Sequence, residues 1–266
     1  MKKTIGVFGA GNMGFAIIQG LLKKGWKESV FFTDVSKERC QWIWEKTGVR
    51  EEGDPIALIQ KADILVFAIK PQFYQETLKN LKTYIKENQI IITIAPGISI
   101  SMVQDWIGSS TRVVRAMPNT PALIGEGMTA ICFSESQYTQ EERSDIYSLF
   151  ESLGKVESVK EEFMDAVVSI SGSAPAYVYM MIEAMADAGV LQGLPRDSAY
   201  HLAAQTVLGS AKMVLETKQH PGILKDQVCS PGGTTIEAVR ILEEKGFRSA
   251  LIEAMQGCYK KTKSFK

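Results

Sequence analysis

A short polar loop near the carboxyl end of the chain has the residue types of a small-anion site. It reads Cys229-Ser230-Pro231-Gly232-Gly233-Thr234-Thr235, and a helical pattern follows from Ile236. A loop that feeds a helix leaves the first backbone N–H groups of that helix unpaired and pointing the same way, which favours an anion. The two threonine hydroxyls could donate to the molecule that carries the anion. An ordinary helix N-cap shows the same pattern and is the alternative interpretation.

A glycine-rich turn near the amino end predicts a dinucleotide site. The apolar run Thr4–Phe8 is typical of a strand, and an amphipathic helical pattern follows the turn Gly9-Ala10-Gly11-Asn12-Met13-Gly14. In this context Gly9 allows the turn, Gly11 lets a pyrophosphate approach the backbone, and Gly14 lets the helix pack on the sheet. The first N–H groups of the helix and its dipole then favour the phosphates.

The residues after the second strand bear on the choice of dinucleotide. The strand pattern Ser29–Thr33 ends at Asp34, twenty residues after Gly14, where a dinucleotide fold places its ribose-binding carboxylate. A turn-starting or helix-capping role ahead of Ser36 is the alternative for Asp34. The carboxylate would repel a 2′-phosphate and favour NADH, whereas Ser36, Lys37 and Arg39 could bind that phosphate. The sequence leaves both NADPH and NADH open.

Strand and helix patterns alternate through the first half of the chain. Two further strands, Ala62–Ile69 and Gln89–Ala95, follow the helical stretches Asp54–Lys61 and Tyr74–Asn88. The alternation predicts an α/β fold, a Rossmann-type doubly wound parallel sheet whose ligands bind at the carboxyl ends of its strands. We therefore expect cofactor contacts in the two strand-end turns, at Ala68, Ile69, Lys70, Pro71, Ala95, Pro96 and Gly97.

A proline-rich segment follows the next strand pattern. After Arg112–Arg115 the chain reads Ala116-Met117-Pro118-Asn119-Thr120-Pro121-Ala122, which is too rich in proline for a helix or a central strand. A rigid polar loop at a strand end suits a ligand wall, and Asn119 is a candidate cofactor-binding residue. A strand at Gly127–Phe133 and a capping box at Thr139–Glu142, opening a helix to Leu153, are predicted next.

Strand patterns stop near residues 155–160, and long helical patterns take their place. These cover Glu161–Gly189, with an interruption near Ser171–Pro175, and then Pro195–Glu216, Thr235–Lys245 and Arg248–Lys263. Pro195 fits a first helical position and Gly246 a helix end. The change in pattern predicts a dinucleotide-binding domain at residues 1–159 and an all-α dimerisation and substrate-binding domain at residues 160–266.

The helical segment Ala174–Leu191 is apolar on nearly every side. From Ala176 to Val190 only Glu183 and Asp187 are charged. Such a helix must be buried nearly all round, and about a hundred helical residues cannot easily surround it within one chain. We therefore expect an interleaved homodimer, with the central helix of a monomeric bundle as the alternative.

Composition narrows the class of partner. Among 266 residues, thirty basic and thirty acidic side chains cancel, which argues against a nucleic acid or a membrane surface. The apolar run from Ile5 is broken by glycines, so no secretory signal is visible, and no stretch is long enough to span a bilayer. Four scattered cysteines and two histidines support neither a disulfide framework nor a zinc site. We expect a cytoplasmic, metal-free protein that binds a small molecule.

The chain as a whole resembles the pyrroline-5-carboxylate reductase family. The resemblance runs from Ile5 to about Cys258, and its most specific stretches are Gly9–Gly14, Arg115–Pro121, Gly172–Tyr177, His220–Gly222 and Lys225–Thr235. It implies hydride transfer from NADPH or NADH to the C=N bond of 1-pyrroline-5-carboxylate, which gives L-proline in the last step of proline biosynthesis. It also implies dimers through the carboxyl-terminal helices, which the family assembles into rings, here a decamer.

The resemblance also assigns roles to individual residues. It implies that the backbone N–H groups of Gly233, Thr234 and Thr235, with the Ser230 hydroxyl, hold the substrate carboxylate, in a loop that includes Gly232. It gives the Thr235 hydroxyl the catalytic contact with the ring nitrogen. Glu161 falls near a substrate-associated position, for which its neighbour Glu162 competes.

The chemistry of the imine agrees with the side chains that are present. A cyclic imine is substantially protonated near neutrality, and an iminium accepts hydride readily, so orientation and one hydrogen bond suffice. A β-hydroxyacid dehydrogenase would need a lysine and an asparagine where, counted from Gly172, this chain has Val178 and Met181. The sequence also leaves open a related imine reductase and a dinucleotide sensor without turnover, although a sensor has no use for the anion loop. Following NADPH absorbance on adding the imine separates these functions.

Overall fold

Seven strands form one sheet in the computed structural model, which describes residues 3–265. They are β1 Ile5–Phe8, β2 Val30–Thr33, β3 Ile64–Phe67, β4 Ile90–Thr93, β5 Arg112–Met117, β6 Gly127–Phe133 and β7 Gly154–Ser158. Their order is β2-β1-β3-β4-β5-β6-β7, and β1 to β5 are parallel. A parallel bridge between Phe32 and Glu51 adds one further pairing beyond β2. The predicted Rossmann-type sheet is confirmed.

The sheet is not parallel throughout. Strand β6 runs antiparallel to β5, and β7 runs parallel to β6. Nine residues, 118–126, connect β5 to β6. That connection is shorter than the dozen or so residues that a parallel crossover needs, so the strand returns antiparallel. Strand β7 was not predicted, because its largely exposed residues lack the apolar run of the central strands.

Helices cover both faces of the sheet. One face packs against α1 Asn12–Lys23, α2 Lys37–Thr47 and α6 Gln140–Glu151, and the other against α3 Pro55–Lys61, α4 Tyr74–Leu81 and α5 Ile100–Ile107. Because the central strands are buried on both sides, they read as continuous apolar runs rather than as alternating ones. The predicted capping box at the start of α6 is confirmed, with Thr139 and Glu142 each bonded to the backbone of the other.

Two segments of the amino-terminal half differ from their predictions. Helix α4 stops at Leu81 and a short 3-10 turn, Lys82–Tyr84, follows, so the helix predicted to reach Asn88 is shorter. The proline-rich segment is partly regular, since β5 continues to Met117 and Thr120–Ile124 forms a 3-10 helix. Pro121 lies in the first turn of that helix, where a missing N–H breaks no helical bond.

Between β7 and residue 265 the regular elements are helical. They include α7 Met164–Val167, a π-helical turn Val168–Gly172, α8 Ala174–Leu191, α9 Arg196–Thr217, α10 Pro221–Val228, α11 Thr234–Glu244 and α12 Phe247–Lys263. The π-helical turn explains the predicted interruption near Ser171–Pro175. Pro195 is the N-cap of α9 rather than its first residue, and α10 was not predicted.

The described chain divides into two compact units. One ends at Ser173 and includes the segment from Cys258 onward, and the other is Ala174–Gly257. The segment after Lys160 stays with the sheet because Arg115 bonds to Asp165 and Asn119 bonds to Ser171. The domain limits 1–159 and 160–266 stay a prediction.

Helix α8 is open to solvent within a single chain. It packs on α9, yet only Ala186 along its length is buried. Tyr179 and Met180 are 58% and 68% exposed. An apolar helix that its own chain leaves uncovered is typical of an interface. Among residues 3–265, no helix combines the length and the apolar character that crossing a membrane requires.

Candidate active site

The glycine-rich turn has the geometry of a phosphate site. Gly9 has φ +91°, and a Cβ there would lie 2.8 Å from the Ala68 carbonyl oxygen. A Cβ on Gly14 would overlap the Gly9 carbonyl oxygen, whereas a Cβ on Gly11 would meet nothing within 4 Å. Helix α1 begins at Asn12 with no side-chain cap, so the N–H groups of Asn12, Met13 and Gly14 stay available for a phosphate.

Asp34 joins the end of β2 to this turn. Its Oδ2 accepts a hydrogen bond from Ala10 N–H at 2.6 Å, and its Oδ1 accepts one from Ser36 N–H at 2.9 Å. Ser36, not Asp34, caps α2. The Arg39 Nε donates to the Ala10 carbonyl at 2.5 Å, and its guanidinium lies 4.1 Å from the centre of the Trp42 ring. The turn-forming role of Asp34 is therefore observed, and ribose binding stays a prediction.

The predicted cofactor turns lie at one edge of the sheet. Strands β1, β3 and β4 are adjacent and parallel, so the turns that leave their carboxyl ends come together. Gly97 has φ +78°, and a Cβ there would lie 2.8 Å from the Cβ of Phe265. Lys70 is exposed, and its carbonyl accepts the Phe73 N–H at 3.0 Å, so a cofactor contact at Lys70 stays a prediction.

Asn119 connects two elements through its amide. Its Nδ2 donates to the Ser171 carbonyl at 3.1 Å, and its Oδ1 accepts the Met128 N–H at 2.9 Å. These bonds fasten the π-helical turn to β6. They use one of the two amide hydrogens, so a cofactor contact through the other stays a prediction.

Glu161 belongs to a partly buried ionic network. Its Oε1 accepts the Ile100 N–H at 2.7 Å, at the start of α5, and lies 3.5 Å from the Arg115 Nη1. Arg115 also donates to Asp165 at 2.8 Å, and both side chains are nearly inaccessible. Glu162 instead points outward and lies 3.8 Å from Lys160. Of the two glutamates, the inward one is Glu161, and its predicted substrate contact is untested.

Sequence reasoning missed the network around Arg115. Arg115 opens the motif Arg115–Pro121, and Asp165 follows Glu161 by four residues, which is one helical turn. A charged residue inside an apolar strand pattern was the available signal, because a buried charge needs a partner.

The cysteines that are buried cannot act as nucleophiles. Burial, followed by the nearby Glu51, raises the pKa of Cys40 to about 11. Burial, followed by Glu161, raises the pKa of Cys132 to about 12. Both thiols stay protonated near neutrality, and the thiolate is the reactive form. Within residues 3–265, no three His, Cys, Asp or Glu side chains converge as metal ligands would.

The loop before α11 is a β-turn that leads into an uncapped helix. Gly233 N–H donates to the Ser230 carbonyl at 3.0 Å, and Gly232 has φ +67°. Pro231 followed by a glycine with positive φ is the sequence of a type II turn. A Cβ on Gly233 would overlap the Ser230 Oγ, so the serine hydroxyl lies against the start of the helix.

The turn already uses one of the predicted carboxylate donors. Gly233 N–H bonds to the Ser230 carbonyl and would have to leave that bond to reach a carboxylate, so its predicted role is untested. Helix α11 begins at Thr234, and no side chain caps it. The N–H groups of Thr234, Thr235 and Ile236 are therefore the first three without helical partners. Thr235 is half-buried, while Ser230 and Thr234 are exposed.

Comparisons with known proteins agree along the whole chain. A family model described as pyrroline-5-carboxylate reductase dimerisation matches residues 161–265, and one described as NADP oxidoreductase, coenzyme F420-dependent, matches residues 4–97. The chain is 44% identical to the pyrroline-5-carboxylate reductase of Escherichia coli K12 over 98% of both chains, and 43% identical to that of Methanosarcina acetivorans over 96% of this chain and 94% of the relative. A crystal structure of Plasmodium falciparum pyrroline carboxylate reductase with NADP bound has a TM-score of 0.90 at 33% identity and covers 99% of this chain and 98% of that one.

Proposed function

Because the chain belongs to the pyrroline-5-carboxylate reductase family, we propose that the loop Ser230–Thr235 and the start of α11 bind the imine substrate. The protein is an oxidoreductase that reduces 1-pyrroline-5-carboxylate to L-proline with a nicotinamide dinucleotide, the last step of proline biosynthesis. In this assignment the substrate carboxylate lies at the start of the helix, and the ring nitrogen lies beside Thr235.

The observation that carries the substrate assignment is the uncapped start of α11. The N–H groups of Thr234, Thr235 and Ile236 have no side-chain partner, and the Ser230 hydroxyl lies beside them. A carboxylate placed there would receive charge-assisted hydrogen bonds and the positive end of the helix dipole. The type II turn at Pro231 and Gly232 holds the serine in place before the substrate arrives.

Thr235 is the residue we assign to the ring nitrogen. The iminium N–H can donate to its hydroxyl oxygen before reduction. Hydride adds to the ring carbon, the C=N π electrons move to nitrogen, and the resulting amine can then accept a hydrogen bond from the same hydroxyl. A threonine suffices because the iminium needs no further protonation by a strong acid. One hydrogen bond to a charged centre contributes about 1.5–3 kcal/mol, which is roughly a 10- to 150-fold effect on rate.

The glycine-rich turn fits a dinucleotide. The space over Gly11 is open, and the N–H groups of Asn12, Met13 and Gly14 are uncapped, so a pyrophosphate can approach the backbone. When bound, NADPH or NADH supplies the hydride. We propose that the strand-end turns Ala68–Pro71 and Ala95–Gly97 form the walls around it.

The surroundings of Asp34 support use of NADPH as well as NADH. Two backbone N–H groups already bond to its carboxylate, which lowers the negative charge felt by a 2′-phosphate. The Arg39 Nε donates to the carbonyl of Ala10, the same residue whose N–H bonds to the Asp34 carboxylate. We propose that Arg39 and Ser36 bind the 2′-phosphate. Replacing Asp34 with serine should raise kcat/KM for NADPH relative to NADH, and an unchanged ratio would contradict this assignment.

The assembly and the compartment are also proposals. The match to a dimerisation domain over residues 161–265 supports a homo-oligomer, and the open α8 helix supports a dimer through the carboxyl-terminal helices. Sedimentation velocity tests whether such dimers assemble further into a decamer. All four cysteines are unpaired, which fits a reducing compartment such as the cytoplasm.

Two variants of one residue test the catalytic assignment. Thr235→Ala removes the hydroxyl and should lower kcat/KM for the imine by about 10- to 150-fold. Thr235→Ser retains the hydroxyl and should keep most of the activity. NADPH oxidation is followed at 340 nm on adding 1-pyrroline-5-carboxylate. Equal activity in the two variants would contradict the role of the hydroxyl, and no turnover in the unmodified protein would favour a dinucleotide sensor.

A further inference from the structure

The backbone ladder of the central sheet continues one residue beyond its strands. Gly9 N–H, after β1, donates to the Thr33 carbonyl of β2 at 2.8 Å. Ala68 N–H, after β3, donates to the Phe8 carbonyl of β1 at 2.8 Å. At both places the residue that leaves one strand still pairs with the last carbonyl of its neighbour. The backbone hydrogen bonding of these strands is therefore complete up to the start of the glycine-rich turn and of the Ala68–Pro71 turn.

The equivalent backbone hydrogen bond between β3 and β4 is not made, and a side chain takes its place. Phe67 is in register with Thr93, so the equivalent bond would run from Ile94 N–H to the Phe67 carbonyl. Ile94 N–H donates instead to the hydroxyl of Tyr74 at 3.3 Å, and that hydroxyl donates to the Phe67 carbonyl. A phenol hydroxyl thus separates two backbone groups that would otherwise bond directly.

Tyr74 is held firmly in this position. It is the first residue of α4, and none of its surface is accessible. Its ring lies 6.2 Å from that of Phe67, which stacks on Phe8 with ring centres 4.6 Å apart. Burial raises the pKa of Tyr74 to about 12, so the hydroxyl stays protonated and can donate at any physiological pH. Phe8 and Phe67 are the last residues of β1 and β3, directly before the glycine-rich turn and the Ala68–Pro71 turn.

The separated strands are those of the nicotinamide half. In a dinucleotide fold one half of the sheet binds each mononucleotide, and the acid after β2 marks the adenosine half. Strands β3 and β4 belong to the other half. We propose that Tyr74 is a positioning residue whose hydroxyl holds the Ala68–Pro71 and Ala95–Gly97 turns at the spacing that the nicotinamide nucleotide requires. This inference rests on the proposed cofactor site.

The test removes only the hydroxyl. Tyr74→Phe keeps the ring and its packing but lets the ends of β3 and β4 readjust. A displacement of 1 Å in an active site can lower the rate by about 100-fold, and a smaller shift should lower kcat/KM for NADPH by about 10-fold. Inhibition by AMP, which carries only the adenosine half, should change by less than about twofold. This contrast between AMP and NADPH is one that a general loss of stability would not produce.

A second tyrosine that bonds to a strand of the same sheet provides the matched control. The Tyr138 hydroxyl donates to the Val113 carbonyl at 3.0 Å, at the amino end of β5 and so at the opposite edge. Tyr138→Phe should lower the melting temperature without changing kinetics with NADPH or inhibition by AMP. Both variants are assayed at 10 °C, where the folded fraction is highest among ordinary assay temperatures.

Two outcomes would overturn the inference. One is a Tyr74→Phe enzyme whose kcat/KM for NADPH lies within twofold of the wild-type value. The other is an equal loss of AMP and NADPH binding, which would indicate general disruption of the fold. Gly11→Ala, measured alongside, separates this inference from the proposed cofactor site. Unchanged NADPH binding in Gly11→Ala overturns the site itself, whereas impaired binding there with a normal Tyr74→Phe enzyme overturns only the role of Tyr74.

Discussion

Replacing Gly11 with alanine should block the dinucleotide while leaving the fold intact. Gly11 is the N-cap of α1, with φ −59° and ψ −163°, so it does not have the positive φ that favours glycine. A Cβ at this position meets no atom within 4 Å. Alanine is a somewhat poorer N-cap than glycine, so the free energy of unfolding should fall by less than about 1 kcal/mol.

The effect on binding is much larger because the methyl group occupies the approach of the pyrophosphate. The first N–H groups of α1 would lose one or two charge-assisted hydrogen bonds to phosphate, each contributing about 1.5–3 kcal/mol. A net loss of about 2–4 kcal/mol corresponds to a roughly 30- to 900-fold higher Kd. The Kd is measured by titrating NADPH fluorescence without the imine, and stability is measured by thermal unfolding of the same preparation.

Two other glycines complete this experiment. A Cβ on Gly53 also meets open space, and Gly53 has no positive φ, so Gly53→Ala should change neither binding nor stability. A Cβ on Gly14 would overlap the Gly9 carbonyl oxygen, so Gly14→Ala should destabilise the fold itself. A Gly11→Ala protein that binds NADPH within threefold of the wild-type Kd would refute the assignment of the pyrophosphate to this turn.

Three further predictions concern stability and assembly. Lys218 ends α9 with φ +56°, which glycine adopts without strain, so Lys218→Gly should raise the free energy of unfolding in urea by about 0.5–1 kcal/mol. Burial opposes ionisation of Glu142, but hydrogen bonds from Arg112 and the Thr139 N–H outweigh it and hold the pKa of Glu142 below its usual range. A lowered pKa stabilises the fold above the unfolded-state value and loses that effect as pH falls through the folded value, so Glu142→Gln should cost about 2 kcal/mol at pH 7, and this cost should shrink as the pH falls below the usual range of a glutamate. Met180→Glu puts a charge on the open face of α8 and should shift the sedimentation coefficient towards that of the monomer, whereas unchanged assembly would place the interface elsewhere.

The glycine-rich turn could be predicted from the sequence because the backbone geometry that requires its glycines is local. Gly9, Gly11 and Gly14 are each required by backbone geometry within a few residues, and the capping box of α6 is equally local. The predicted strands fell within a few residues of the observed ones for the same reason. Helix α10 was missed because Pro221-Gly222 reads as a turn, although proline is favoured in the first turn of a helix.

The contacts that position the site join distant parts of the chain. The bond from Asn119 to Ser171 spans 52 residues, and that from Arg115 to Asp165 spans 50. The charge of Arg115 inside an apolar strand signals that a partner is needed, but which residue pairs with Arg115 or with Asn119 depends on how the helices pack on the sheet. Tyr74 reads locally as the start of a helix, and its bridging role appears only once β3 and β4 lie side by side.

The loop Ser230–Thr235, which we propose binds the substrate, shows why its backbone N–H donors could be predicted as a group but not individually. Pro231, Gly232 and Gly233 indicate a turn before a helix, and a turn of this kind often engages one N–H with a carbonyl three residues earlier. The structure shows that this N–H belongs to Gly233, so the free donors begin at Thr234. The proposed anion site therefore consists of backbone N–H groups, and the turn type decides which of them are free. The only side chain that we propose for the ring nitrogen is Thr235, which is half-buried and lies at the start of the helix.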